Sequence, residues 1–241
     1  MKFTMPIALA LSLMAAPLSA QDLSEEDVKR LALEAILENP EIVMQAVAIL
    51  DQREREAQAA NVASALEDQG DRLLRDPNAP VLGNPDGDVT VVEFFDYNCP
   101  YCKQAMPVVE ALLDGDPEIR VVYREWPILG EGSVFAARAA LAAREQGLYE
   151  EFHWAMMGQR GRIDEPVVLR IAAEVGLDVD QLQRDMEAPE IDEHLVTSNT
   201  LASAMGFGGT PSFVVGDALL PGFVELSVLE QGVADARAAA E

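Results

Sequence analysis

The chain has 241 residues, in which 42 aspartates and glutamates outnumber 17 lysines and arginines to give a formal net charge of −25. That excess disfavours nucleic acid and anionic lipid headgroups as partners and serves solubility. Only two cysteines occur, which excludes a scaffold stapled by several disulfides, and the length suits one large domain or one ordinary domain with a smaller appendage.

In chain order, residues 1–20 read as an export signal. Lys2 supplies the positive end, the run from Ile7 to Ala16 the apolar core, and Leu18-Ser19-Ala20 the small-residue cleavage site. The apolar run is too short to span a bilayer as a helix; the rival reading is an uncleaved membrane anchor. Cleavage near Ala20 starts the mature protein at Gln21, in an exported, periplasmic setting, and removing Lys2 makes the chain one unit more negative.

Residues 21–75 predict a helical arm. Ser24-Glu25-Glu26-Asp27 suits a helix start, with a capping oxygen and acids at the positive end of the dipole. Val28, Leu31, Ala32, Ala35 and Ile36 then repeat at helical spacing, and Asn39-Pro40 punctuates before a second helix carrying Ile42, Val43, Ala46, Val47, Ile49 and Leu50. This arm is too poor in apolar residues to hold a core alone. It either packs on the main domain or meets copies of itself in a dimer or trimer.

Asp76-Pro77-Asn78-Ala79-Pro80 marks a boundary, so that residues 76–241 form the main domain, and Gly83–Asp88 predicts a turn. Val89–Phe95 reads as a buried strand, a helix follows from Cys99 to about Leu113, and Ile119–Tyr123 reads as the next strand. That order implies parallel pairing in an α/β sheet. An insertion over about 131–206 reads as helices only, broken near Gly147, Gly161-Arg162, Gly176 and Pro189. Ser212–Val215 and Ala218–Leu220 make a hairpin around Gly216-Asp217, and a closing helix spans about Val224–Ala239.

The chemistry concentrates in Cys99-Pro100-Tyr101-Cys102, which follows the best strand and opens a helix. Unpaired N–H groups and partial positive charge at a helix start stabilise a thiolate. Cys99, nearest the end, is the expected nucleophile, and Cys102, one turn inward, the resolving thiol. Pro100 fits the first helical position, while Pro107 should kink the helix. The same spacing could supply half a zinc site or an inert disulfide. The only histidines, His153 and His194, lie far apart in sequence and read as surface or packing residues, so the chain calls for no metal and no cofactor. Glu93 interrupts an apolar strand: it is either a buried proton relay for Cys102 or a residue turned to solvent at a sheet end. Gly208-Gly209-Thr210-Pro211-Ser212-Phe213 leads into the hairpin; taken alone, its X-Pro bond would be trans.

Glu93 through Cys102, followed much later by Thr210-Pro211-Ser212-Phe213, resembles the DsbA-like branch of the thioredoxin superfamily, over roughly Pro80 to the C-terminus. The resemblance implies an α/β thioredoxin fold with a helical insertion, a cis Pro211 facing the dithiol, Cys99 as the exposed thiol and Glu93 as the buried acid preceding the motif. The arm, Tyr123–Gly130 and Thr210 are most similar to the suppressor-of-copper-sensitivity C type, whose members can carry an oligomerising arm and act as disulfide isomerases. It follows that Cys99, Cys102, Glu93, Thr210 and Pro211 are the expected working residues, with Pro100 and Tyr101 in the active-site loop. The expected partners are unfolded or misoxidised exported proteins and a membrane redox partner that recycles the dithiol. Disulfide isomerase or reductase leads, a dithiol oxidase is the alternative because the same residues run either direction, and a copper or zinc carrier using the dithiolate is the reading from another class.

Overall fold

The computed structural model describes residues 24–240; the predicted signal segment and the start of the mature chain at Gln21 lie outside them. Two compact units divide the chain between Glu54 and Arg55. In the first, the Ser24 side chain accepts a hydrogen bond from the Asp27 N–H at 3.1 Å and caps α1 (Glu25–Glu38). Asn39 and Pro40 end that helix and start α2 (Glu41–Leu74). The apolar residues that repeat along this stretch stay open: Leu31, Ile36, Val43 and Val47 keep 40–48% of their surface exposed.

The last turns of α2 belong to the second unit. Leu73 is buried, and Leu66 and Leu74 pack beside it. The Arg120 and Arg124 guanidinium groups donate to the carbonyls of Leu74 and Leu73, at 2.5 and 3.5 Å, and Arg124 also pairs with Asp76 at 2.6 Å. The compact unit therefore begins well before the proline-rich punctuation at 76–80, because leucines on the final turns bury against the sheet.

That sheet has five strands in the order β1 (Val81–Gly83), β3 (Ile119–Glu125), β2 (Val89–Phe95), β4 (Ser212–Val215), β5 (Ala218–Pro221). Only β2 and β3 pair in parallel; the other pairings are antiparallel. β2 and β3 are joined by α3 (Pro100–Gly115), and the hairpin β4–β5 leads into α9 (Leu226–Ala240). These are the strand-helix-strand and hairpin-helix halves expected from sequence, with β1 added at the edge. Three residues are too few to show a period, which is why the sequence did not reveal β1.

Between the halves lie α4 (Glu131–Ala142), a single 3-10 turn (Ala143–Gln146), α5 (Tyr149–Gly158), α6 (Glu165–Glu174), α7 (Val179–Asp185) and α8 (Pro189–Ala204), broken where glycine and proline predicted. Both sheet faces are covered. Val91 and Phe95 of β2 point into the larger core with α3, the insertion helices and α9. Val92 and Phe94 point the other way, against Trp126, Leu201, Met205 and the end of α2. A strand clad on both sides reads as an unbroken apolar run, and a lone polar residue in it has no solvent to reach. Arg237 of α9 bridges Asp88, at the entry to β2, and Asp116, at the exit of α3, with contacts of 2.6–2.7 Å, and so ties the closing helix across the foot of the first half.

Candidate active site

The site lies where β2 ends and α3 begins. Asp96 turns the chain: its carboxylate accepts from the Asn98 N–H at 2.7 Å and the Leu129 N–H at 2.9 Å, and its carbonyl accepts from the Cys99 N–H at 3.0 Å. Cys99 is the residue just before α3, in extended conformation, and Pro100 takes the first helical position, where its missing N–H costs nothing. Pro107 lies inside the same helix.

Cys99 and Cys102 are free thiols. Cys102 is wholly buried and Cys99 keeps 5% of its surface; both are buried, and Cys99, expected as the exposed thiol, is only the less enclosed of the two. The Thr210-Pro211 peptide is cis, as the family resemblance implied and against the ordinary expectation for X-Pro. The Cys99 thiol donates to the Thr210 carbonyl at 3.1 Å. A hydrogen bond from Cys102, another from the Thr210 side chain and the backbone N–H groups of Cys102 and Tyr101 lower the Cys99 thiol to about 5, although its partial burial opposes this. Cys102 moves upward, first from burial, then from its bond to Cys99 and the negative charge of Glu93. Tyr101 stands out with 59% of its surface exposed.

Glu93 is 2% exposed, so the solvent-facing reading of this residue does not hold. Alternation along β2 puts it on the same face as Val91 and Phe95, the face that packs against Cys102. Burial, and then the Cys99 thiolate, raise its carboxyl to about 8, and one of its oxygens has no hydrogen-bond partner among the described residues. Beside it on β3 stands Tyr123, whose ring packs 4.5 Å from that of His153. His153 is fully buried among aromatic rings and meets the Tyr97 hydroxyl through Nδ1 at 3.0 Å; burial lowers its imidazole to about 3, which keeps it neutral. Behind this cluster the Tyr149 hydroxyl donates to Glu125 at 2.8 Å, and Glu125 lies 2.8 Å from His194 Nε2. Both histidines are thus packing residues, one in each polar pocket of the core.

Sequence reasoning did not single out Asn98 or Lys103. Asn98 donates to Ser133 Oγ (3.1 Å) and the Ile163 carbonyl (2.9 Å) and accepts from the Ile163 N–H (2.7 Å), which fastens the loop before Cys99 to the insertion. Gly132 allows the same approach, since a Cβ there would stand 2.5 Å from the Ile163 carbonyl oxygen. Lys103, one turn into α3, donates to the Gln159 and Gly161 carbonyls. Their partners lie 35–65 residues away, and no local spacing announces them. Among the described residues no three or more His, Cys, Asp or Glu side chains cluster as metal ligands do.

A model of the DSBA-like thioredoxin domain matches residues 90–234. The structure of a thioredoxin-like oxidoreductase from Silicibacter pomeroyi DSS-3 is 69% identical with a TM-score of 0.69, covering 70% of this chain and 97% of that one. A linker-deletion mutant of Proteus mirabilis ScsC is 28% identical with a TM-score of 0.70, covering 94% of this chain and 100% of that one. Among curated proteins, Na(+)/H(+) antiporter NhaA 3 of Salinispora tropica is 32% identical over 162 residues, 66% of this chain but 25% of that protein. The chain thus spans about a quarter of the length of that curated relative.

Proposed function

Because the chain belongs to the DSBA-like thioredoxin-domain family, we propose that it is an exported thiol-disulfide oxidoreductase working through Cys99 and Cys102, foremost as an isomerase or reductase of misoxidised exported proteins. The observation that carries the redox reading is Cys99 at the start of α3, its sulfur 3.1 Å from the Thr210 carbonyl with Cys102 buried one turn inward.

The Cys99 thiolate attacks one sulfur of a substrate disulfide. A Cys99–substrate disulfide forms, and the other substrate sulfur leaves as a thiolate that takes up a proton. In isomerisation, a different substrate thiolate attacks this mixed disulfide, forms the correct bridge and returns Cys99 as thiolate, with no net electron transfer. In reduction, Cys102 loses its proton and attacks Cys99; the substrate leaves as a second thiolate, and two electrons have passed from the dithiol to the substrate. Glu93 is the group we assign to take the Cys102 proton: its charge acts on that buried thiol, and its ionised fraction, a minority at neutral pH because the carboxyl is raised to about 8, is a stronger base than an ordinary carboxylate. Thr210, beside cis-Pro211, offers backbone to an extended substrate segment. Pro100 and Tyr101 form the rim, and a membrane redox partner resets the dithiol.

The exposed apolar residues of the first unit support self-association of the arm into a dimer or trimer, which would set several dithiols around one client. One observation favours the second reading, a dithiol oxidase: the lowered Cys99 stabilises the reduced form, which makes the disulfide form a stronger oxidant.

The deciding experiment is recovery of a misbridged model protein by three reduced samples: the chain from Gln21, a chain starting at Arg55, and Cys99→Ala. The cut belongs at Arg55, since starting at Asp76 would strip Leu73 and Leu74 from the core. The expected outcome is unscrambling by the longer chain, thiol exchange without unscrambling from the shorter, and none from Cys99→Ala. Equal unscrambling by both chains would remove the arm from the isomerase reading; if neither unscrambles and both, first oxidised to the Cys99–Cys102 disulfide, pass that bridge to a reduced client, the oxidase is selected.

A further inference from the structure

Resting on the oxidoreductase reading, a second feature bears on which clients the site accepts. Asn98 and Pro100, the neighbours of Cys99, line a groove of about 450 Å³ with Lys103, Leu129, Gly161 and Arg162. In this acidic chain, Lys29, Arg30, Arg124, Arg138, Arg170 and Arg237 all lie within ion-pair distance of a carboxylate. Arg160 and Arg162, like Arg53, Arg72 and Arg75 on and just after α2, do not: both are exposed, among the described residues neither guanidinium has an ion-pair or hydrogen-bond partner, and Arg162 lines the groove itself. The segment that carries them is held over α3 by the ammonium of Lys103, which donates to the Gln159 and Gly161 carbonyls and has no carboxylate within ion-pair distance among the described residues.

We infer that this groove selects polypeptide segments carrying a carboxylate side chain close to the cysteine under attack, seated between Lys103 and Arg162. Glu131, Asp164 and Glu165 line the adjoining cavity on the far side of Arg162 and limit the anion-accepting stretch to the side nearest Cys99. Two fields compete at this site. The net charge of −25 draws basic clients at long range, whereas the groove cations act within a few ångströms. Charges further away than about 8 Å are largely screened at physiological ionic strength, so the local cations decide the rate of the attacking step.

The test uses the full mature chain, reduced, and two synthetic peptides of equal length. Each carries one cysteine blocked as a mixed disulfide with 2-nitro-5-thiobenzoate, flanked by glutamates in one and by lysines in the other. Attack by Cys99 on the peptide sulfur forms the Cys99–peptide disulfide and releases the coloured thiolate. The expected result is a glutamate peptide roughly threefold to tenfold faster than the lysine peptide, as suits one or two exposed charge pairs. The ratio should fall toward one in 0.5 M salt and invert in R160E/R162E, with Arg162→Gln between. Equal rates, a faster lysine peptide, or a ratio unmoved in R160E/R162E would overturn the inference while leaving the oxidoreductase reading intact. Release from neither peptide would remove that reading and the inference with it.

Discussion

At the scale of single residues, Glu93 and Cys99 pull stability in opposite directions with pH. Glu93 is raised from an ordinary 4.5 to about 8, chiefly by burial. The folded protein therefore binds a proton between those values that the unfolded chain has released, and stability falls as pH rises through this window, by roughly 4 to 5 kcal/mol at most. Cys99 is lowered from 9.0 to about 5, so between those values the folded protein has released a proton the unfolded chain retains, and stability rises. In the disulfide form only the Glu93 effect remains. Urea unfolding of the oxidised protein should show a midpoint that drops between about pH 5 and pH 8.5; the reduced protein should be nearly flat, and Glu93→Gln should remove the drop. An unchanged oxidised midpoint would mean that Glu93 stays ionised in the fold. The two cysteines and Pro100 were legible in the sequence because their chemistry depends on short spacing, whereas the cis bond at Pro211 came only from the family resemblance. Glu93 was half legible: its place in an apolar strand was visible, but whether both faces of that strand are covered depends on helices far along the chain. The neutral His153 was not legible, for its setting is built from Phe95, Tyr97, Tyr123, Tyr149 and Trp154, drawn from β2, the loop after it, β3 and α5.

At the scale of elements, the long strands and helices followed directly from periodicity and punctuation: Val89–Phe95 emerged with the bounds expected, and the breaks of the insertion fell at its glycines. What could not be read was how elements fasten to one another. Asn98 shows the difference. Its amide spans from the active-site loop to the start of α4 and to the chain entering α6, making three hydrogen bonds of 2.7–3.1 Å. Asn98→Ala should cost about 3 kcal/mol, because it removes these bonds and leaves the Ile163 backbone groups half-buried without a partner. Asn98→Asp should recover only part, keeping an acceptor for the Ile163 N–H while losing both donated bonds. Thermal unfolding would measure the cost, and the rate of Cys99 alkylation at pH 6 would show whether the loop has loosened around the thiol. A change below about 0.5 kcal/mol would show that the loop and the insertion are held together by packing alone.

For the whole molecule, the sheet separates two interiors of different character. The side facing Cys102 holds the buried acids Glu93 and Glu125, the neutral His153 and a set of phenols; the other is dominated by aliphatic and aromatic packing, with Arg124 at its border. The two tryptophans are divided between them. Trp126 packs edge-on to Phe94 and donates to Asn199 at 3.1 Å, behind the sheet. Trp154 stands against His153 at 4.8 Å and Tyr123 at 6.4 Å, and Tyr123 is the cross-strand neighbour of Glu93. The molecule thus carries its own optical gauge of electron transfer. Opening the Cys99–Cys102 bridge creates a thiolate on the side of the sheet where Trp154 packs, with Trp126 in the core on the other side. Steady-state emission should shift on reduction in the native chain and in Trp126→Phe, and should lose that shift in Trp154→Phe. Titrated against a glutathione couple, the emission of Trp154 would give the midpoint potential without label or substrate.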